Sequence, residues 1–215
     1  MTYPRTLGTK SPLAALRKFV PAKEPAERCG LCNAGLSADH RHLFDVQART
    51  VICACGSCAV LFAGQHGAKY RRIGGSVRAF ADFRQSDAQW AELGVPIGLA
   101  FFCYSTPLAQ TIALYPSPAG ATESRIDSRL WNELAEQNPL LRNLAPDVEG
   151  LLVNRIKQAR EYYVAPVDVC FRLTGLIRRS WRGLSGGAQV WRDIDVFFAD
   201  LRQRAAPART EKARA

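Results

Sequence analysis

Two cysteine pairs, Cys29-Gly30-Leu31-Cys32 and Cys55-Gly56-Ser57-Cys58, are separated by twenty-two residues, and five of the chain's seven cysteines fall between Arg28 and Phe62. Two C-x-x-C pairs at this distance have the spacing of a closed four-thiolate metal site, in which the intervening chain folds back to bring the pairs together. Zinc in such a site would be structural, whereas a single iron would make the protein a one-electron carrier. Rubredoxin-like iron sites usually place glycine after the second cysteine of each pair, where the backbone takes positive φ. Here those positions hold Asn33, which tolerates that conformation, and Ala59, which does so poorly, so zinc is the expected ion and iron the alternative. Cys53 extends the second group to C-x-C-x-x-C and leaves one thiol surplus. The sequence alone leaves open whether Cys53 or Cys55 is omitted; the shared spacing favours Cys29, Cys32, Cys55 and Cys58 as the ligands. His40 and His42 could also ligate, but four thiolates already suffice, and imidazoles on a surface or strand edge are the simpler reading.

The elements that must position these sulfurs are short. His42 to Val46 and Thr50 to Cys53 are β-prone runs around the polar turn Gln47-Ala48-Arg49, which predicts a hairpin returning the second pair to the first. A zinc-ribbon-like (rubredoxin-like) module over residues 28–75 follows, with the ion replacing much of the core that so small a unit cannot build.

Residues 76–204 read as an α+β domain with an antiparallel sheet and a C-terminal helix pair. Ile97 to Tyr104 is the most apolar stretch and predicts a central strand buried on both faces, paired as a hairpin with Thr111 to Tyr115. Cys103 is then a buried thiol. Lys69 to Ile73, Leu151 to Asn154 and Tyr162 to Val164 are further strand candidates, and Pro116 to Ser124 reads as a polar loop. Ser86 should cap a short helix from Asp87 to Leu93, and Arg129 to Asn138 reads as another helix, stopped by Pro139. From Val167 the apolar period becomes helical, with Cys170, Leu173, Thr174, Ile177 and Trp181 on one face. A glycine-rich break from Gly183 to Gly187 precedes a second stripe of Val190, Ile194, Phe197, Phe198 and Leu201. Arg178, Arg179 and Arg182 lie off the first stripe, as on a solvated face.

The formal net charge of +10 is concentrated at the ends. Residues 1–28 carry six basic and two acidic side chains, residues 205–215 three and one, and the body between them twenty and sixteen. A dedicated nucleic-acid surface would instead charge the folded body, so no specific nucleic acid is expected. Residues 1–27 and 205–215 read as disordered tails, with Leu13 to Val20 able to form a helical turn. No apolar run reaches membrane-spanning length and no export signal is evident, which predicts a cytoplasmic protein outside the membrane. Gly8-Thr9-Lys10-Ser11 lacks a phosphate-loop frame, and Leu184-Ser185-Gly186-Gly187 has no partner P-loop, so neither implies nucleotide chemistry. Asp147, Glu149 and Asp168 are scattered acids with the positions of turn and cap residues, and no catalytic constellation emerges.

The run His40-Arg41-His42-Leu43-Phe44-Asp45, the cysteine groups with Cys58-Ala59-Val60-Leu61-Phe62, Pro96 to Phe102, Tyr115 to Ser124, Pro146-Asp147-Val148-Glu149 and Trp181 to Gly187 together resemble one bacterial family. Its members are encoded beside oxygen-tolerant, high-affinity nickel-iron uptake hydrogenases. The likeness extends from Cys29 to Arg204. It implies a non-enzymatic accessory role in hydrogenase maturation or assembly through contact with a hydrogenase subunit. An electron carrier and a zinc-ribbon nucleic-acid regulator are the competing readings.

Overall fold

In the computed structural model of the chain, residues 27–64, 67–183 and 186–208 are described. Readings of residues 1–26, of Leu184-Ser185 and of 209–215 lie outside them. The cysteine region is built on the expected hairpin, β1 (Arg41–Asp45) and β2 (Thr50–Ala54), in a register that sets His42 opposite Cys53 and Phe44 opposite Val51. Its turn closes without glycine because Asp45 Oδ1 accepts from the amides of Gln47 and Ala48, while Arg49 takes a φ of 52°. Helix α1 (Gly56–Leu61) follows, and β3 (Tyr70–Arg72) then pairs with the free edge of β1, giving the order β2-β1-β3.

The remaining strands are β4 (Arg78–Ala79), β5 (Leu99–Ser105), β6 (Gln110–Ser117), β7 (Gly120–Arg125), β8 (Glu149–Asn154), β9 (Glu161–Pro166) and β10 (Ala206–Pro207). They form one sheet in the order β10-β4-β9-β8-β5-β6-β7, antiparallel except at the β10–β4 pair. β5 is central and buried on both faces, as its composition predicts. Alternation along it sends Leu99, Phe101 and Cys103 to one core and Ala100 and Phe102 to the other.

The first core lies under helices α4 (Val167–Ser180) and α5 (Gly187–Arg204), whose buried residues include both predicted stripes except Trp181, which caps α4 half-buried. The helices run antiparallel: Ser180 bonds Asp193 near the link, and Arg172 pairs with Asp200 at the far end. The opposite face is covered by α2 (Asp87–Glu92), α3 (Ser128–Gln137) and a 3-10 turn (Pro139–Asn143). Ser86 caps α2 through a full capping box with Gln89, and Asp127 caps α3. Asn138, just past α3, is a buried connector. Its side-chain amide donates to the Leu134 and Arg84 carbonyls and its oxygen accepts from the Arg84 amide.

Two expectations need correcting. Pro116 to Ser124 is no loop, since Pro116 and Ser117 end β6 and Gly120 to Arg125 form the edge strand β7, with Gly120 at a φ of 128° making the tight reversal. Ala206-Pro207, placed in the C-terminal tail, belongs to the sheet as β10, where the Ala206 and Ala208 amides donate to Val77 and Ala79 carbonyls. No helix among the described residues is long and apolar enough to cross a membrane.

Alternation along β1 also docks the cysteine region on the larger sheet and its helices. Leu43 points into the small core of Cys29, Ala54, Cys58 and Ala59, whereas Phe44 joins the large core and approaches Phe171 of α4. Polar contacts reinforce the seam: Arg49 pairs with Glu123 at 2.9 Å and Arg71 with Asp147 at 3.3 Å.

Candidate metal centre

Among the described residues the small core fully buries one large hydrocarbon side chain, Leu43, whose burial stabilises by about 2–3 kcal/mol, with Leu31, Leu36 and Tyr70 packed against it only partly buried. That cannot offset the entropy of ordering the surrounding loops, so another interaction must hold them. The sulfurs supply it. Cys29, Cys32, Cys55 and Cys58 bring their Sγ atoms within 4.8 Å of one another, and Cys32 and Cys55 stand 3.7 Å apart. A tetrahedron with metal–sulfur bonds of about 2.3 Å has sulfur–sulfur edges of about 3.8 Å, so the observed spacing fits a single ion. All seven cysteines are free thiols, and no disulfide competes for these four. The four sulfurs can therefore hold a metal ion.

The two pairs reach the site differently. The first is a tight turn in which the Asn33 amide donates to the Cys29 carbonyl and Asn33 adopts a φ of 62°. It packs against β2, with the Gly30 amide donating to the Cys53 carbonyl; a Cβ on Gly30 would come within 2.7 Å of Ile52 Cγ2, so any side chain there would force Ile52 to move. The second pair does not form a matching tight turn. Cys55 is the N-cap of α1, its sulfur facing the Cys58 amide, and Cys58 and Ala59 are helical. Helical φ at Ala59 removes the second of the two positive-φ turns that an iron site of the rubredoxin kind would use.

Cys53 is the omitted thiol. It is the last but one residue of β2, opposite His42, and strand parity gives it to the face carrying Phe44 and Val51 rather than the face carrying Ala54. Cys55 shares that parity in sequence, but the chain has already left the strand and turned into α1, which re-aims its sulfur toward the first pair. His40 and His42 do not join the four sulfurs. They gather with Cys53 as a separate group, their donor atoms within 4.8 Å of one another. The expectation of surface imidazoles fails for His40, whose side chain is only 7% exposed; His42 is partly buried against Asp168 of α4. The H-x-H alternation was the one signal in the sequence; the register that sets His42 opposite Cys53 is seen only in the folded hairpin.

Without a cation the four sulfurs cannot all be anionic. The backbone amides of Cys55 and Cys32 pull Cys29 down to about 6, while burial, with hydrogen bonds that the Cys58 thiol donates to the neighbouring cysteines, pushes Cys58 up to about 12. Metal must then displace protons, Cys58's above all. We expect zinc loading at pH 7 to release protons, and affinity to weaken as pH falls and weaken further once Cys29 protonates near 6. Calorimetry in buffers of differing ionisation enthalpy measures the release directly. Cys103 and Cys170 behave as inert core thiols: burial raises Cys103 to about 12 and Cys170 well above the usual thiol value.

The scattered acids are engaged structurally. Asp147 accepts from the Thr106 amide and hydroxyl and from Arg71; Glu149 pairs with Arg78 and accepts from the Ala145 amide; Asp168 holds His42.

No curated protein and no solved structure matches the chain significantly. One family model does, described as a family of unknown function (DUF5947), over residues 28–205. The matched segment takes in both cysteine pairs, the His40/His42/Cys53 group and every helix described above, and the chain belongs to this family.

Proposed function

We propose that this protein is a non-enzymatic accessory factor that carries zinc in its four-cysteine site and binds a hydrogenase subunit during maturation or assembly of a nickel-iron enzyme. The observation that carries the binding role is the surface beside the site. Val60, Leu61 and Phe62 are 75%, 76% and 48% exposed on and just after the short helix that supplies Cys58. Adjacent apolar side chains held out into solvent by a metal-clasped element suit a protein–protein contact. The choice of a hydrogenase as partner is supported by the sequence resemblance from Cys29 to Arg204.

The test is recovery of the hydrogenase subunit with the tagged full-length protein from cells that make both. Leu61→Glu is expected to lose that subunit while keeping its zinc and its stability within about 0.5 kcal/mol, because the side chain is 76% exposed. Normal hydrogenase assembly and activity in a deletion strain would contradict the proposal. Positive φ at Asn33 is the one feature that favours iron and electron transfer. Colour separates the two: a red protein supports iron, and a colourless one with bound zinc removes it.

A further inference from the structure

A second group of donors, distinct from the four sulfurs, carries its own chemistry. His40 Nδ1 lies 2.9 Å from the Ser37 carbonyl and 3.4 Å from a Glu27 carboxylate oxygen. Both neighbours only accept, so Nδ1 bears the proton and Nε2 presents its lone pair. That Nε2 is buried and has no hydrogen-bond partner among the described residues. His42 shows the same polarity, its Nδ1 donating to Asp168 Oδ2 at 2.8 Å, which leaves its Nε2 free as well. Asp168 is itself held, since its Oδ1 accepts from the Val169 amide. An imidazole whose far nitrogen is anchored by a carboxylate or carbonyl is the arrangement that orients histidine toward a metal and raises its basicity.

The third donor is the surplus thiol. His40 and His42 are two residues apart and share a side of the chain, and Cys53 is directly opposite His42 across the hairpin. One donor atom from each lies within 4.8 Å of the others. A cavity of about 370 Å³ opens beside the two histidines, which line it with Gly74, Gly75, Asp168 and Val169.

We propose that His40, His42 and Cys53 form a second metal site, separate from the four-cysteine centre. Two imidazoles and one thiolate suit a borderline divalent ion of the late first row, with Zn²⁺ as the resident. Bound metal draws the donors in by about 1 Å toward the edge lengths of a tetrahedral site. Three protein ligands leave a fourth position facing the cavity, where water completes the shell. Such a site exchanges its ion more readily than a closed four-thiolate one. The proposal does not depend on the partner proposed above.

Metal-free full-length protein titrated with Co²⁺ under reducing conditions tests it. The wild-type chain is expected to take up two equivalents, and His40→Ala, His42→Ala and Cys53→Ser to take up one. The equivalent that remains reports that the four-cysteine site, and hence the local fold, is intact in each variant. Asp168→Asn should retain the second equivalent with affinity lowered by about 10- to 100-fold, the usual cost of losing an orienting carboxylate. A single equivalent in the wild-type protein, or a second that survives the His40→Ala, His42→Ala double variant, would overturn the assignment.

Discussion

Cys29→Ser is expected to strip the four-sulfur site of its metal and unfold the loops around it, with the Cys32 turn, β2 and α1 losing amide protection from hydrogen exchange. Structural zinc sites contribute about 10–16 kcal/mol of apparent binding free energy at neutral pH, whereas whole domains are stable by only about 5–15 kcal/mol. The local hydrocarbon cannot compensate, because beyond the cysteines the small core fully buries only Leu43 and two alanines, with Leu31, Leu36, Ala63 and Tyr70 partly exposed around them. A chelator should act as the mutation does, and added zinc should reverse the chelator but not the mutation. Cys53→Ser is the discriminating control: its sulfur points to the other face of the hairpin, so the four-sulfur metal and the local fold should persist. A Cys29→Ser protein with full metal content and unchanged exchange would contradict the structural role given to the ion.

Asp147→Ala is expected to destabilise the protein by about 3–5 kcal/mol, a fall in Tm of roughly 6–20 °C for a chain of this size. Asp147 is 2% exposed and its carboxylate answers three donors, the Thr106 amide, the Thr106 hydroxyl and Arg71. Arg71 also reaches the Pro146 carbonyl at 2.7 Å, so this group ties β3 to the turn before β8. Alanine would leave a mostly buried guanidinium and an amide without their acceptor. It would also occupy a φ of 63°, which aspartate tolerates better than alanine. Asp147→Asn keeps the short polar side chain and should cost less. Glu133→Ala, which breaks an exposed pair with Arg129, should change stability by under about 0.5 kcal/mol. Thermal or urea melts of the three variants order the effects, and equal losses in all three would refute the account of the seam.

The features readable in the chain were those that local physics dictates. β-Prone runs around a polar turn gave the first hairpin, an unbroken apolar stretch gave β5, and helical stripes gave α4 and α5, because each of these signals is set within a few residues. The edge strand β7 was hidden since an edge half in solvent can be polar, and Thr122 to Ser124 looked like loop. β10 was hidden because two residues carry no period. At the site, cysteine spacing singled out the four residues whose sulfurs come together, but the choice between Cys53 and Cys55 turned on where β2 ends and α1 begins, a boundary spacing does not encode. The burial of His40 was equally out of reach, being set by the Ser37 carbonyl and by packing across the hairpin.

Metal analysis of the His40→Ala, Cys53→Ser double variant, purified without added metal and paired with X-ray absorption at the edge of the ion found, tests the four-cysteine centre most directly. The account predicts one equivalent of zinc in a shell of four sulfurs at about 2.3 Å. A metal-free protein with Cys29, Cys32, Cys55 and Cys58 joined as disulfides, or a shell containing nitrogen, would contradict it.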